Sequence, residues 1–514
     1  MKKLTLISCL ICLCTGIVKA QNGEVARIEL PLNAKSQQCG YVTMGRQGVL
    51  AFAENTTTAA KGMKEWGFIV TDTNLVEQNQ FKATLDATLQ MQSSTTSDQF
   101  AAVVFASNKR SDSTLVNIIF YDISSGKFKT FATKLPPNIS LLPAAAVANT
   151  LMMAYNFNNG GAFVSFYNTE NGKARHKNMQ DVRFLIQNIE ASTATKHFVV
   201  TLKEFEDRHS VATNFQIYKP DGIMEHSFSY PNSENATIGR SCSRIDDDGS
   251  LKVLATIERI SSAKVSAKDF ANNFDKVSVG VGWFCFAPEK TQSKIYLFKN
   301  IPDIDKALTP SNRLRVKQRQ VQQKNDSTAS KGEIGFQLLK PNLLSHNDTS
   351  IIALEAFVPF YHTETRTEFG YYGSMPTTRT VFDGYDFYAH LLFAFNDNGN
   401  LIWHSHTKFD LPIDMALKRH TNEALCLDEI VTLSTSDNTL IYSITDLNGE
   451  KLLDEEQTTL PMMKKNDILA TEYSSYIRHW YDNNFIVSGK QTVRNRMMRK
   501  AERNVFFLQK TLYE

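Results

Sequence analysis

The chain has few cysteines, no excess of one charge sign, and no long apolar run beyond its N-terminal leader. Three of the seven cysteines, Cys9, Cys12 and Cys14, lie in that leader, and the rest are far apart: Cys39, Cys242, Cys285 and Cys426. Because they form no C-x-x-C pair, a structural zinc site is not predicted. An oxidising compartment would permit disulfides between them, but the spacing does not require any.

The charge balance and the missing motifs exclude several further classes. There are 56 basic and 53 acidic residues, a net charge of +3, with both signs interspersed, so neither nucleic acid nor a membrane surface is a predicted partner. No G-x-S-x-G, H-E-x-x-H or P-loop motif occurs. His404 and His406 share one face of a predicted strand without a third ligand, so we predict no metal and no cofactor.

The N-terminal leader has the pattern of a secretory signal peptide. Lys2 and Lys3 precede an apolar run, and the run ends at the small-x-small sequence Val18-Lys19-Ala20. The sequence therefore predicts cleavage after Ala20 and export to the periplasm, the cell surface or the medium. The run is too short to span a bilayer, which needs roughly 20 apolar residues. A lipid anchor at Cys9 is the alternative, since Leu6-Ile7-Ser8-Cys9 loosely resembles a lipobox.

What the chain does contain is a recurring pattern of an apolar strand, an Asx-rich turn closed by Gly, and another strand. Five copies are visible: FYDISSGKF (120–128), FYNTENGKA (166–174), IYKPDGIM (217–224), FAFNDNGNLIW (393–403) and SITDLNGEKL (443–452). Eight apolar strands precede such units, at 49–55, 101–107, 150–156, 197–203, 251–257, 351–357, 429–435 and 484–490. The repeat is about 50 residues and four antiparallel strands, A to D, which is typical of a propeller blade.

The sequence therefore predicts an all-β protein whose residues 21–514 form a single β-propeller. Eight blades are favoured, with seven as the alternative. The last unit ends at strand C, and the alternating segment Val25 to Leu30 can supply its missing strand D and close the ring. A row of β-sandwich domains is the competing architecture, since turns at short spacing mark sandwiches too. No proline- or glycine-rich linker separates such domains, which favours the propeller.

Strand order predicts that the long insertions share one face of the ring. In an antiparallel blade the B–C and D–A connections lie on one face, and the A–B and C–D turns lie on the other. Four insertions fall in B–C or D–A connections: 259–276, 300–333, 360–380 and 491–503. Loops on a rigid scaffold commonly carry function. In the first, Ala267, Phe270, Ala271 and Phe274 have helical spacing. Residues 313–324 are basic and are interpreted as a solvated or mobile loop, with binding of an anionic partner such as an acidic glycan as the alternative.

The insertion around 360–388 carries the candidate site. It is rich in Phe and Tyr with charged residues between them, a mixture that suits sugar rings or a protein partner. An aromatic mini-core that holds the insertion in place is the alternative. The predicted ligand-binding residues are Tyr361, His362, Arg366, Tyr371, Tyr372 and Arg379.

One segment of the chain resembles a known family. The stretch EAFVPFYHTETRT, followed by FDGYDFYAHLLFAFNDNGNLIWHSH (within 355–406), resembles a family of exported, β-rich proteins of Gram-negative bacteria that has no assigned activity. The resemblance covers about a tenth of the chain. It implies export and a β-rich fold, and it brings no functional residues with it.

These observations predict a non-enzymatic binding or scaffold propeller that recognises a glycan or an envelope protein through its insertion-bearing face. The alternative is a carbohydrate-active enzyme. Acids near the ends of the B strands, Glu54, Glu204, Glu258 and Glu355, would converge on that face as a carboxylate pair for glycoside hydrolysis. The oligomeric state is not predicted.

Overall fold

The computed structural model folds the repeat into eight antiparallel sheets, each built from consecutive strands. The structure describes residues 26–514 except 35–36, 56–60, 108–112, 180, 182, 206–210, 232–235, 260–276, 312–333, 371–372, 410 and 498–501. The predicted signal peptide, the helical spacing at 267–274 and the basic stretch 313–324 therefore lie outside the described residues.

The first four blades follow one another along the chain. Blade 1 comprises β2 Cys39–Thr43, β3 Val49–Asn55, β4 Met63–Thr71 and β5 Glu77–Asp86. Blade 2 comprises β6 Leu89–Thr96, β7 Phe100–Ser107, β8 Thr114–Asp122 and β9 Lys127–Leu135. Blade 3 comprises β10 Ile139–Leu141, β11 Ala145–Val147, β12 Thr150–Phe157, β13 Ala162–Asn168 and β14 Ala174–Met179. Blade 4 comprises β15 Phe184–Ser192, β16 His197–Phe205, β17 Val211–Tyr218 and β18 Met224–Tyr230.

The other four blades complete the ring. Blade 5 comprises β19 Ala236–Ile245, β20 Leu251–Arg259, β21 Ser278–Ala287 and β22 Lys290–Leu297. Blade 6 comprises β23 Gln337–Leu338, β24 Asn342–His346, β25 Thr349–Gly370, β26 Gly373–Asn396 and β27 Leu401–Lys408. Blade 7 comprises β28 Asn422–Cys426, β29 Glu429–Ser436, β30 Thr439–Asp446 and β31 Lys451–Thr459. Blade 8 comprises β32 Asp467–Tyr481, β33 Asn484–Asn495, β34 Glu502–Leu512 and the N-terminal β1 Arg27–Leu32. Short 3₁₀ helices lie at Gly45–Gln47, Phe298–Asn300 and Ile304–Ala307.

The N-terminal strand closes the ring as the sequence predicts. β1 pairs antiparallel with β34, from Arg27 opposite Gln509 to Leu32 opposite Asn504. Leu30, Leu32 and Leu508 of blade 8 then pack in one apolar cluster with Val49 and other residues of blade 1. The eight-bladed propeller is therefore confirmed.

Apolar clusters fill every interface between neighbouring blades. Eight of these clusters join blades 1 and 2, 2 and 3, 3 and 4, 4 and 5, 5 and 6, 6 and 7 (two clusters), and 7 and 8. Since the last interface, between blades 8 and 1, is also filled, each sheet is covered on both faces by its two neighbours. The stability of one blade thus depends on both neighbours.

Proline interrupts the innermost strand in two blades. Strand A of blade 3 is split into β10 and β11 around Pro143, and strand A of blade 6 is split into β23 and β24 around Pro341. Proline has no backbone N–H to donate to the ladder, so the pairing with strand B breaks there.

The four cysteines of the ring are free thiols. Cys242 and Cys426 are buried, and Cys285 packs against the apolar cluster of blades 5 and 6. Burial raises the pKa of the Cys39 thiol to about 11, so this thiol is protonated at neutral pH.

The described ends of a B–C and a D–A connection meet at blade 5. Ser278, at the start of strand C in blade 5, pairs with Phe336 of the following D–A connection. Residues Ile301, Ile304, Ala307 and Leu308 of the predicted insertion 300–333 pack into the core between blades 5 and 6. They support the ring and are not available to a ligand.

Candidate functional site: a ribbon arm on blade 6

The insertion predicted as a loop at 360–380 is a continuation of strands B and C. β25 and β26 stay paired from Thr349 opposite Asn396 to Gly370 opposite Gly373. We call residues 358–386, beyond the buried pair Phe357 and Phe387, the arm. At roughly 3.3 Å per residue the arm extends about 40 Å from the blade. The prediction of a loop is wrong here, although the predicted face is right.

One face of the arm carries a row of charged side chains. His362 Nδ1 lies 2.6 Å from Asp383 Oδ1, and Arg379 Nε donates to Glu364 Oε2 at 3.0 Å. Arg366 Nη2 lies 3.3 Å from the same Glu364 oxygen. The hydrogen bond to Asp383 raises the pKa of His362, and the Arg379 guanidinium lowers the pKa of Glu364. The row therefore holds two arginines whose single shared carboxylate leaves guanidinium donors exposed.

The opposite face of the arm combines threonine with aromatic rings. Tyr361 is paired across the ribbon with Phe382, with ring centroids 5.3 Å apart, and Tyr361 is 53% exposed. Two threonine pairs follow towards the tip: Thr363 opposite Thr380, and Thr365 opposite Thr378. All four threonines are exposed. This face is accessible to solvent, and the ring pair Tyr361–Phe382 lies at its end near the blade.

The base of the arm is tied to the connection between blades 6 and 7. Tyr385 and Asp414 exchange two backbone hydrogen bonds, of 2.8 and 3.1 Å. Phe357 and Phe387 pack with Phe409 and Leu411 of that connection. The aromatic mini-core considered from the sequence therefore exists at the base, whereas the outer part of the arm is exposed.

A buried carboxylate reinforces the base from inside the ring. Glu355 is 1% exposed and accepts hydrogen bonds from the backbone N–H groups of His420, at 3.0 Å, and Thr421, at 3.4 Å. Burial raises the pKa of Glu355, and the charge of Arg419 and these N–H groups only partly oppose it. Glu355 thus fixes the 420–421 segment against strand B of blade 6.

A second buried carboxylate lies next to it. Glu423 is within 2.6 Å of His390 Nε2 and of Arg419 Nη2, and the Thr421 hydroxyl donates to both Glu423 and Glu355. Burial disfavours ionisation of Glu423, but Arg419 and His390 outweigh it and hold the pKa of Glu423 well below its usual range. Sequence reasoning missed this group, although an acid within the otherwise apolar strand Asn422–Cys426 was a usable signal.

The structure brings four of the six predicted ligand-binding residues together on the arm. Three of them, His362, Arg366 and Arg379, share the charged face, while Tyr361 lies on the threonine face. Tyr371 and Tyr372, at the tip between Gly370 and Gly373, lie outside the described residues. The prediction that these side chains bind a ligand remains a prediction.

The strand-end acids of the enzymatic alternative lie on four different blades. Glu54, Glu204, Glu258 and Glu355 belong to blades 1, 4, 5 and 6. Glu54 pairs with Lys64 at 2.9 Å, Asn214 Nδ2 donates to Glu204 at 2.7 Å, and Glu258 is 4% exposed. Glu54, Glu204 and Glu355 each contact a group close to them in the fold, whereas the buried Glu258 Oε2 has no hydrogen-bond partner among the described residues.

The described residues hold neither a metal-binding cluster nor a membrane-spanning helix. No group of three or more His, Cys, Asp or Glu side chains in the described ranges is placed to hold a metal ion. No helix in those ranges is long and apolar enough to cross a bilayer. The two Asx-Gly segments at 246–249 and 396–399 form hairpin turns.

Comparison with known proteins defines no family. No protein-family model matches the chain, and no curated protein matches it. The β-propeller domain of the Trilobed protease from Pyrococcus furiosus is 8% identical and covers 81% of this chain and 97% of its own, with a TM-score of 0.34. A structure from a study of two prolyl endopeptidases is 8% identical to this chain. The match covers 85% of this chain and 52% of that chain, with a TM-score of 0.36.

A further similar structure is the WD40 domain of SCAP from fission yeast. It is 7% identical and covers 94% of this chain and 98% of its own, with a TM-score of 0.31. Likeness at this level carries no argument about function. The class of the protein, an eight-bladed β-propeller closed by its N-terminal strand, rests on its own strand order.

Proposed function

We propose that this chain is an exported, non-enzymatic binding propeller that recognises a protein partner through the arm. The observation that carries the proposal is the arm itself, a two-stranded ribbon that extends past the blade and buries little of its outer surface. Ring closure does not require it, because the other seven blades close their interfaces with shorter B–C connections.

The physical cost of the arm supports a role in binding. An isolated two-stranded hairpin is at best marginally stable in water. Here it is fastened by a backbone bridge to Asp414 and by the buried carboxylate Glu355. These contacts hold the ribbon in one orientation before a partner binds, which reduces the entropy lost on binding.

The chemistry of the outer arm favours a protein over a glycan. Tyrosine and arginine are enriched at the centres of protein interfaces, and Tyr361, Arg366 and Arg379 are exposed here. Small-ligand sites are concave, whereas the described outer part of the arm is an exposed two-stranded ribbon. Its outer edges are guarded against strand addition by Pro359, Pro376 and the charged row, so we expect docking through side chains.

Site-specific photocrosslinking tests the proposal in the organism that makes the protein. A photoreactive residue at Thr363 or Thr378 should give one discrete protein adduct, and the same residue at exposed Lys129, on strand D of blade 2, should not. The adduct should weaken at least tenfold in Tyr361→Ala with Arg366→Ala. Equal adducts at all three positions, or none at Thr363 and Thr378, would overturn the proposal.

A glycan array separates the two partner classes. If the arm recognised a sugar, the purified protein would bind specific glycans and lose that binding in Tyr361→Ala. That result would replace the protein partner by a glycan.

Export is the second part of the proposal and has its own test. The pattern from Lys2 to Ala20 supports cleavage after Ala20. N-terminal sequencing of the protein recovered from its source should begin at Gln21. An intact Met1, or a lipid-modified Cys9, would contradict cleavage at that position.

A further inference from the structure

On the face of the ring opposite the arm, an opening lies between the turns of blades 3 and 4. It is a cleft of about 610 Å³ over the side chain of Phe166. One wall is the C–D turn of blade 3, from Asn168 to Lys173, and the other is the C–D turn of blade 4, from Lys219 to Asp221. This volume is within the range of small-molecule sites.

In these turns the asparagine side-chain oxygens accept hydrogen bonds from the turn itself, and the asparagine NH₂ groups remain available as donors. Asn168 Oδ1 accepts from the backbone N–H groups of Glu170 and Asn171, at 3.0 and 3.1 Å. Asn171 Oδ1 accepts from the N–H of Lys173 at 2.9 Å, and Asn149 Oδ1 accepts from the Thr150 hydroxyl at 3.3 Å. These bonds fix which way each amide points. The NH₂ groups of the three asparagines have no acceptor among the described residues.

The charge of the lining is positive. Lys173, Arg175 and Lys219 stand against one carboxylate, Asp221. Lys219 is 3.1 Å from Glu225, whereas Lys173 has no acidic partner among the described residues. Arg175 Nη1 donates one hydrogen bond of 3.2 Å to the Asp221 carbonyl, and the other N–H groups of the guanidinium remain available to a ligand. The cleft therefore offers cationic and amide donors to a ligand that is rich in acceptors.

The same place in blades 5 and 6 shows that the fold does not need these free donors. Arg175 pairs across its sheet with Phe166, on which Gly222 of the next blade rests. Lys294 pairs in the same way with Trp283, on which Gly399 rests. There, however, Lys294 donates to Asn400 at 2.6 Å.

Lys252, at the same junction, lies 2.6 Å from Asp397. Lys294 and Lys252 are thus both paired with side-chain oxygens of the neighbouring turn. Between blades 3 and 4 the neighbouring turn supplies only a backbone carbonyl, so the positive charge remains open to solvent.

From this contrast we infer that the cleft between blades 3 and 4 binds a carboxylate-bearing sugar. Arg175 and Lys173 pair with the carboxylate, the guanidinium by a forked contact. The asparagine NH₂ groups donate to ring and hydroxyl oxygens, and Asp221 accepts from a hydroxyl. Pro220 and the exposed Ala174 supply the apolar surface that the C–H face of a sugar ring needs. This site is independent of the arm.

Titration calorimetry of the full mature chain tests the inference. The probes are glucuronate and galacturonate, as monosaccharides and short oligosaccharides, with glucose and inorganic phosphate as comparisons. We expect uronate binding that weakens with added salt and exceeds binding of glucose and of phosphate at least tenfold. If only the oligosaccharides bind, the cleft takes a chain of such sugars, which also supports the inference.

Matched variants locate the binding. Lys173→Gln and Arg175→Gln should each weaken uronate binding about tenfold or more, while Lys294→Gln, at the equivalent position in blade 5, should not. Lys173 is exposed, so its substitution tests the site even if Arg175→Gln disturbs the turn. Absence of uronate binding, equal binding of phosphate, or equal loss in Lys294→Gln would overturn the inference. Arm crosslinking is unaffected by any of these results.

Discussion

Replacing Gly399 by alanine probes how one blade is fastened to the next. Gly399 closes the C–D turn of blade 6 with φ of +72°, and it rests on the indole ring of Trp283 in blade 5. A Cβ at this position would lie 2.3 Å from Trp283 Cε3 and 2.5 Å from Cδ2. Trp283 is 1% exposed, and the Tyr296 hydroxyl also donates to the Gly399 carbonyl, so neither side is free to move.

Two separate costs add up in Gly399→Ala. An L-residue in the left-handed region costs about 1–2 kcal/mol. Overpacking against a buried ring costs about 1–3 kcal/mol more. We therefore expect the variant to lose about 2–5 kcal/mol of unfolding free energy.

Gly249 supplies the control, because it shares the backbone conformation without the contact. Its φ is +80°, and a Cβ there would meet nothing within 4 Å. Gly249→Ala should lose only the conformational cost of about 1–2 kcal/mol. The difference between the two variants isolates the contact between the blades.

Urea unfolding followed by tryptophan fluorescence and by far-ultraviolet circular dichroism measures both variants. The two signals should share one midpoint if the ring unfolds as a unit, which licenses a comparison of free energies. Equal losses in Gly399→Ala and Gly249→Ala would refute the reasoning, since they would show that the Trp283 contact carries no weight.

Three further predictions concern single groups. Glu423→Gln should lose about 3–5 kcal/mol at neutral pH, because it removes the buried carboxylate that pairs with Arg419 and His390, and denaturant unfolding measures this. Since the folded pKa of Glu423 is depressed, its stabilising effect is present above the unfolded pKa of about 4.3 and is lost as pH falls towards the folded value, so the variant should come closer to the wild type in acid. His362 should titrate above its usual pKa by NMR, and Asp383→Asn should return it towards that value; an unchanged titration would contradict the 2.6 Å contact. Because the His362 pKa is raised, its pairing with Asp383 should be complete below the unfolded pKa and lost as pH rises through the folded one. The four cysteines should each react with a thiol reagent after unfolding without reductant; a disulfide would leave fewer.

The repeat could be predicted from sequence because the physics of a blade is local. An apolar strand B recurs in all eight units, an Asx-Gly turn recurs in five of them, and most steps between units are about 50 residues. The unpaired segment Val25 to Leu30 indicates the closing strand. Blade number and closure then followed from counting strands. Register was also accessible, since alternation along a strand assigns each side chain to one face.

The prediction of a loop at 360–380 is wrong although the sequence of the arm contains a strand signal. Thr363, Thr365 and Thr367 alternate with charged residues on β25, and Thr378 and Thr380 flank Arg379 on β26. This period of two is typical of a strand. The aromatic content of the segment indicates a binding site or a mini-core, but composition alone does not distinguish a two-stranded ribbon from a loop.

The cleft could not be predicted, because it depends on distances between two turns. Asn171 and Pro220 lie about 50 residues apart along the chain and come together only when blades 3 and 4 pack. No local pattern distinguishes this pair of turns from the pair at blades 5 and 6. The distinction lies in whether Lys294 or Arg175 finds a side-chain acceptor on the next blade, which requires the packed ring.

Strand order also determines how the two proposed sites relate to each other. B–C and D–A connections must leave the ring on one face, so the arm and its anchor at Asp414 share that face. A–B and C–D turns must leave on the other, where Asn149 and Asn168 meet the turn of blade 4. Between the faces stand close-packed interblade clusters, which do not deform continuously. Coupling between the sites would need a cluster with two alternative packings, so without one a ligand in the cleft leaves the arm unchanged.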